Sequence, residues 1–170
     1  HGIVDLSLTA NGKRAFLVAY EIGDLAAVHR HLGREHEAVI LEQIEGYAYN
    51  PARVANMLKT AWNEGRIGYV YSGDLTPMTC TAREARGALC RSPVASDEQI
   101  AIVVEDLVEN APTKLRKVDR QHIYDACLYG LYGLMKLGAK FKLSSAAELA
   151  LIKTRGTERA KSAAKASKAS

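Results

Sequence analysis

Cysteine is scarce in this chain and follows no pattern. Cys80, Cys90 and Cys127 are odd in number and form no Cys-x-x-Cys pair. That excludes a disulfide framework and a cysteine-rich zinc site, and it suits a reducing, cytoplasmic compartment. Long apolar runs are missing too. None approaches the roughly 20 residues that span a bilayer, so no membrane partner is expected. The opening "HGIVDLSL" lacks the basic flank and apolar stretch of a signal peptide. Enzyme signatures are also absent: no Gly-x-Gly-x-x-Gly after a strand, no Walker loop, no His-Glu-x-x-His and no Gly-x-Ser-x-Gly. On that ground the chain is expected not to be an enzyme and to use no cofactor. A metal site is not expected either. His29 and His31 fall on different faces of a helix that Gly33 breaks before His36, whereas zinc needs three or four convergent ligands.

What is present is enough apolar material for a core, 48% of 170 residues, and an uneven charge. Residues 153–170 carry six basic groups and one acid, which leaves 17 basic and 18 acidic groups for the rest. The basic balance therefore belongs to a low-complexity tail. The body is banded: 50–91 holds six basic and three acidic groups, 92–110 none and five, 111–142 seven and two. Such banding creates local fields that a whole-chain charge conceals.

Three stretches share one shape: "VDLSLTANGKRAFLV", "MTCTAREARGALC" and "FKLSSAAELALI". Each aligns on a hydroxyl residue, Thr9, Thr81 or Ser144, preceded by a strand-like run and followed by a helical pattern. A Ser or Thr there accepts from the unpaired N–H groups of a helix start. Between the first two copies the periodicity predicts helices over 25–33, 34–46 and 51–64. Ile40, Leu41 and Ile44 share a face of the second. The third is opened by Asn50-Pro51 and closed by Gly65. A hairpin over 66–81 follows. After the second copy, Ser96 and Gln99 form a capping-box pattern. A basic loop leads to Asp119 as the cap of the next helix. A short helix, a stop at Gly138 and one strand then reach Ser144.

The residues "NPARVANMLKTAWNEGRIGYVYSGDLTPMTCTAREARGAL", 50–89, resemble the winged helix-turn-helix superfamily. The pair Glu64-Gly65 before a wing, and Leu8-Thr9-Ala10-Asn11-Gly12, look similar to elements common in bacterial regulators of that fold. The helix over 34–46 is longer than such modules usually have. The resemblance implies a mainly α fold with small β hairpins, built as tandem winged-helix-like modules. Residues 1–23 would be the end of a truncated module or a linking strand-helix, 24–91 and 94–152 two modules, and 153–170 the tail.

It also implies a DNA-binding regulator of transcription or replication, nucleoid-associated, with double-stranded DNA as partner. Arg53, Asn56, Lys59, Thr60 and Asn63 would face the major groove, where Arg matches guanine and Asn adenine. Arg66 and Tyr71 would lie on the wing, and Lys114, Arg116 and Lys117 on backbone phosphate. The alternative is a protein–protein adaptor, or an inhibitor of a nucleic-acid machine, that uses winged helices as rigid faces. The apolar, tyrosine-rich run 124–138 offers Tyr129, Tyr132, Leu134 and Met135 as anchors for a homodimer or partner interface.

Overall fold

The computed structural model describes residues 2–23, 27, 38–43 and 78–167, with side chains through Thr157. Strands β1 (Gly2–Leu8) and β2 (Ala15–Ile22) form an antiparallel hairpin, its register shifted between Asp5 and Leu6. The helix expected after Thr9 is not there. Thr9 instead starts a turn, its N–H donating to the Arg14 carbonyl at 3.0 Å while Gly12 takes a positive φ of 66°. The segment that follows reads as a strand once taken at period two. Ala15 and Leu17 are buried, Phe16, Val18, Tyr20 and Ile22 are exposed, and aromatic and β-branched residues favour an extended chain.

Strands β3 (Ile40–Gln43) and β4 (Met78–Thr81) pair in parallel, from Ile40 opposite Met78 to Gln43 opposite Thr81. Ile40–Gln43 was expected inside the helix over 34–46. A short apolar run such as "VIL" does not tell a buried strand from a helix turn, and the β-branched pair Val39-Ile40 favours the strand. Of the expected hairpin over 66–81, only the last four residues are described, and they run parallel to β3.

Among the described residues, four helices of two turns or more follow these strands, and helix makes up about half of those residues in a mixed α/β fold. Helix α1 (Ala82–Cys90) opens on a capping box: Thr81 Oγ1 accepts from the Glu84 N–H, and the Glu84 carboxylate accepts from the Thr81 N–H at 2.8 Å. Helix α2 (Asp97–Leu107) is opened by Gln99, whose Oε1 accepts from the Ser96 N–H at 3.1 Å. Two residues, Val108–Glu109, then form β5 beside the start of β2, in parallel. Arg14 fastens this junction, donating to the Asp106 carbonyl at 2.9 Å and to Glu109 at 3.2 Å. Helix α4 (Ser145–Ser167) follows Ser144, whose Oγ accepts from the Ala147 N–H and donates to Asp106. The caps read at Thr81 and Ser144 are therefore real, the box read at Ser96 closes through Gln99 while the Ser96 hydroxyl has no hydrogen-bond partner, and the cap read at Thr9 is not there.

Helix α3 (Lys117–Lys136) departs further from expectation. It starts two residues before Asp119, which sits in its first turn and accepts from Arg116 at 2.6 Å. It runs unbroken through Gly130 and Gly133, and the strand expected over 139–143 does not form. Both glycines are there because α3 crosses the strands closely. A Cβ on Gly130 would lie 2.7 Å from Leu6 Cδ1, and one on Gly133 would lie 3.1 Å from Ile40 Cδ1. The helix thus lies against β1 and β3 together. Gly138, at φ 103°, ends the segment as expected.

One cluster of buried residues joins Ala15 and Leu17 of β2, Cys80, Leu89, Ile100, Val104, Leu107, Ile123, Leu128, Leu131 and Leu151. Tyr129 and Tyr132 belong to it, with Leu134 and Met135 packed partly buried against it. The tyrosines expected as interface anchors are spent on this chain's own core.

Candidate active site

Where α3 crosses β3, polar groups from three elements converge. Glu42 of β3 accepts at Oε1 from the Tyr129 hydroxyl at 2.9 Å. Asp125 stands one helical turn before Tyr129 on the same face of α3. Its Oδ2 accepts from Gln121 Nε2 at 3.1 Å, and its Oδ1 faces Nη2 of Arg86, from α1, at 3.6 Å. The Arg86 and Asp125 side chains are 26% and 24% exposed. Asp125 Oδ1 and Arg86 Nε are buried with no hydrogen-bond partner. Glu42 is exposed, so this group of side chains is open to solvent on that side. His122, exposed, lies one turn N-terminal to Asp125.

The electrostatics follow from the crowding. Burial lifts the Glu42 carboxyl above its ordinary range, and the nearby Asp125 charge adds to this. The Tyr129 hydrogen bond and Arg86 pull the other way. Asp125 is also lifted, first by burial, with Asp97 adding and Gln121, Arg86 and His122 opposing. Burial and the two carboxylates push the Tyr129 phenol up, so it stays protonated and donates. Once ionised, two such carboxylates carry charge that the surroundings solvate poorly and that a cation would relieve, and pKa values displaced in this way cluster at functional sites.

Of the residues expected to bind DNA, Arg53, Asn56, Lys59, Thr60, Asn63, Arg66 and Tyr71 lie outside the described residues, as do His29, His31 and His36. Lys114, Arg116 and Lys117 are exposed where the chain enters α3, the helix that carries Asp125. Among the described residues no three His, Cys, Asp or Glu side chains gather as a metal-binding group, and no helix is long and apolar enough to cross a membrane. Sequence reasoning missed Glu42, Arg86 and Asp125. A signal existed for the last, because Asp125 interrupts the apolar stretch "IYDACLYGL" on the side that faces inward.

No family model and no curated protein matches the chain. Among solved structures it is similar to the RuvC of Thermus thermophilus. The TM-score is 0.52 at 16% sequence identity, over 79% of this chain and 89% of that one. A likeness at that identity is one of fold. RuvC is a Holliday-junction resolvase, a nuclease. The expectation that the chain is not an enzyme is corrected to this extent: its fold is similar to one that an enzyme uses. The motifs whose absence prompted it are short and contiguous. The groups that converge here come from positions 42, 86, 125 and 129, which no such motif spans.

Proposed function

We propose that this protein is a divalent-cation-dependent phosphodiesterase acting on DNA, a nuclease on the fold it shares with RuvC, with its active site at Glu42 and Asp125. The observation that carries the reading is their approach from β3 and α3 beside Tyr129 and Arg86, with Asp125 Oδ1 buried and without a hydrogen bond. The donor set fits Mg²⁺, which keeps several waters and is bound by one or two carboxylates together with substrate phosphate. Glu42 and Asp125 would be its protein ligands. A bound Mg²⁺ supplies a polarised phosphoryl oxygen and a water that is acidic enough to attack.

The chain's own residues do the rest. Tyr129 donates to Glu42 Oε1 and so fixes which oxygen remains available. Gln121 holds Asp125 Oδ2 in the same way. His122, an exposed imidazole beside Asp125, is placed to accept the proton of the attacking water. Lys114 and Lys117 lie near the start of the same helix. Lys117 is eight residues before Asp125, about 12 Å by the helical rise, where flanking phosphates of a bound strand can be neutralised. The basic residues of 153–170 add attraction without sequence readout.

The test is cleavage of a four-way DNA junction and of a matched duplex, with Mg²⁺ or with EDTA. Cleavage by the wild-type chain that needs the cation and is lost in both Glu42→Gln and Asp125→Asn is expected. Undiminished cleavage in either variant would overturn the site, and no cleavage with Mg²⁺ or Mn²⁺ would overturn the activity.

A further inference from the structure

We propose that Arg86 is the site's resident counter-ion, released from Asp125 to the scissile phosphate when a divalent cation binds. This rests on the phosphodiesterase reading. Its footing is the geometry of the Arg86–Asp125 pair. Arginine and carboxylate that serve only to hold a fold meet at hydrogen-bonding distance, about 2.7–2.9 Å and often in two places. This chain makes such contacts elsewhere, with Arg91 at 2.6 Å from Glu148 and Arg116 at 2.6 Å from Asp119. Arg86 instead stands 3.6 Å from Asp125, although both side chains are mostly buried. Arg86 Nε and Asp125 Oδ1, one atom on each side, have no hydrogen bond at all. The pair is held by charge alone, with donors on one side and a lone pair on the other still unspent.

Arg86 also answers to both acids, since its charge lowers the pKa of Glu42 and of Asp125 alike. Two carboxylates and one guanidinium leave the recess at −1. A divalent cation brings it to +1, the complement of one phosphodiester. A guanidinium has a planar fork of donors that suits phosphate oxygens, and once the cation takes the carboxylates that fork has no better partner than the substrate. The backbone beneath it is fixed. The Thr81–Glu84 box locks the first turn of α1, and the Arg86 carbonyl accepts from the N–H groups of Arg91 and Ser92 at the other end. Only the side chain has to move.

This predicts opposite effects on two ligands, which a merely structural residue would not give. Mn²⁺ binding to the full chain is measured by calorimetry. Binding of a fluorescent four-way junction is measured by anisotropy with Ca²⁺ supplied. Arg86→Gln should bind Mn²⁺ about tenfold more tightly, because a competing positive charge is gone, and bind the junction about tenfold more weakly. Arg86→Lys keeps the charge and loses the fork, so Mn²⁺ affinity should stay within about twofold of wild type while junction binding falls. Folded Arg86→Gln protein with unchanged or weaker Mn²⁺ binding overturns the proposal. So does Arg86→Lys with undiminished junction binding, which keeps the question decidable if Arg86→Gln does not fold. Wild-type protein that binds no Mn²⁺ overturns the phosphodiesterase reading itself. Mn²⁺ binding that is lost in Glu42→Gln but indifferent to Arg86→Gln overturns only the role of Arg86.

Discussion

Gly130→Ala sets two known effects against each other at the crossing that brings Asp125 to β3. In the interior of a helix, replacing Gly by Ala stabilises by about 1 kcal/mol. Against that, the new methyl would lie 2.7 Å from Leu6 Cδ1 and 3.5 Å from Leu6 Cγ, so Leu6 must turn or α3 must lift. Overpacking of this kind costs about 1–3 kcal/mol. The net is a loss of about 1 kcal/mol, or about 2–4 °C in Tm for a chain of this size. Gly87→Ala in α1 is the matched control. It has the same helical gain with nothing within 4 Å of the added Cβ, so it should stabilise by about 1 kcal/mol. Urea unfolding followed by circular dichroism measures both. Shortening the obstacle as well, in Gly130→Ala with Leu6→Ala, should cost about 1–2 kcal/mol less than the two single losses added together. Gly130→Ala as stable as Gly87→Ala, or a simply additive double variant, would contradict a close Leu6–Gly130 contact.

Three further outcomes follow from the same geometry. Tyr129→Phe removes the one hydrogen bond that lowers the Glu42 pKa, so the pH at which Mn²⁺ binding is half complete should move upward; an unmoved midpoint in calorimetry from pH 5 to 8 would count against the Tyr129–Glu42 contact. Because Glu42 and Asp125 are both held above their ordinary range, the folded chain keeps their protons longer than the unfolded chain does. Their contribution to stability is therefore greatest at acid pH and is lost as pH rises through the raised values. In EDTA the wild-type melting temperature should fall more steeply from pH 5 to 8 than that of Glu42→Gln/Asp125→Asn, and parallel curves would contradict this. Burial pushes the thiols of Cys80 and Cys127 up to about 12 and that of Cys90 to about 11, so none should react with an aromatic disulfide reagent at pH 7.5 until the protein is unfolded.

Local chemistry was legible in the sequence wherever one side chain decides the outcome. Thr81 with Glu84, Ser96 with Gln99, and Ser144 each sit at the helix start that their hydrogen-bonding groups suggest. The stop at Gly138 was equally plain. Thr9 misled because its hydroxyl serves a turn as well as it serves a cap. The next residues, "AFLVAYEI", satisfy a period of two once Ala15 and Leu17 are taken as the inward pair. Ile40 and Leu41 misled because a four-residue parallel strand is shorter than one clear period of either pattern. The helix over 117–136 was read in two pieces because the sequence does not show that strands lie against Gly130 and Gly133. Each of these errors is a pairing between distant segments, Leu6 with Gly130 or Ile40 with Gly133, and neither segment announces the other.

The site was hidden for the same reason, and its concealment explains why the tyrosine-rich run is so apolar. A helix bearing Tyr124, Leu128, Leu131 and Tyr132 in the core looks built for packing alone. Packing is what carries Asp125 to the edge of β3, with Tyr129 one turn on to meet Glu42. An exposed helix could present the same carboxylate at less cost, but water would return its pKa to the ordinary range and Arg86 would gain little by facing it. Desolvation is therefore the means by which this fold sets the two acids apart from ordinary surface carboxylates, and in the proposed site it would leave their charge for a cation to neutralise. The apolar face of α3 and the reactivity proposed for Glu42 and Asp125 are one feature. Changes that loosen the α3–β1 crossing should thus weaken cation binding even when they leave every polar group of the site in place.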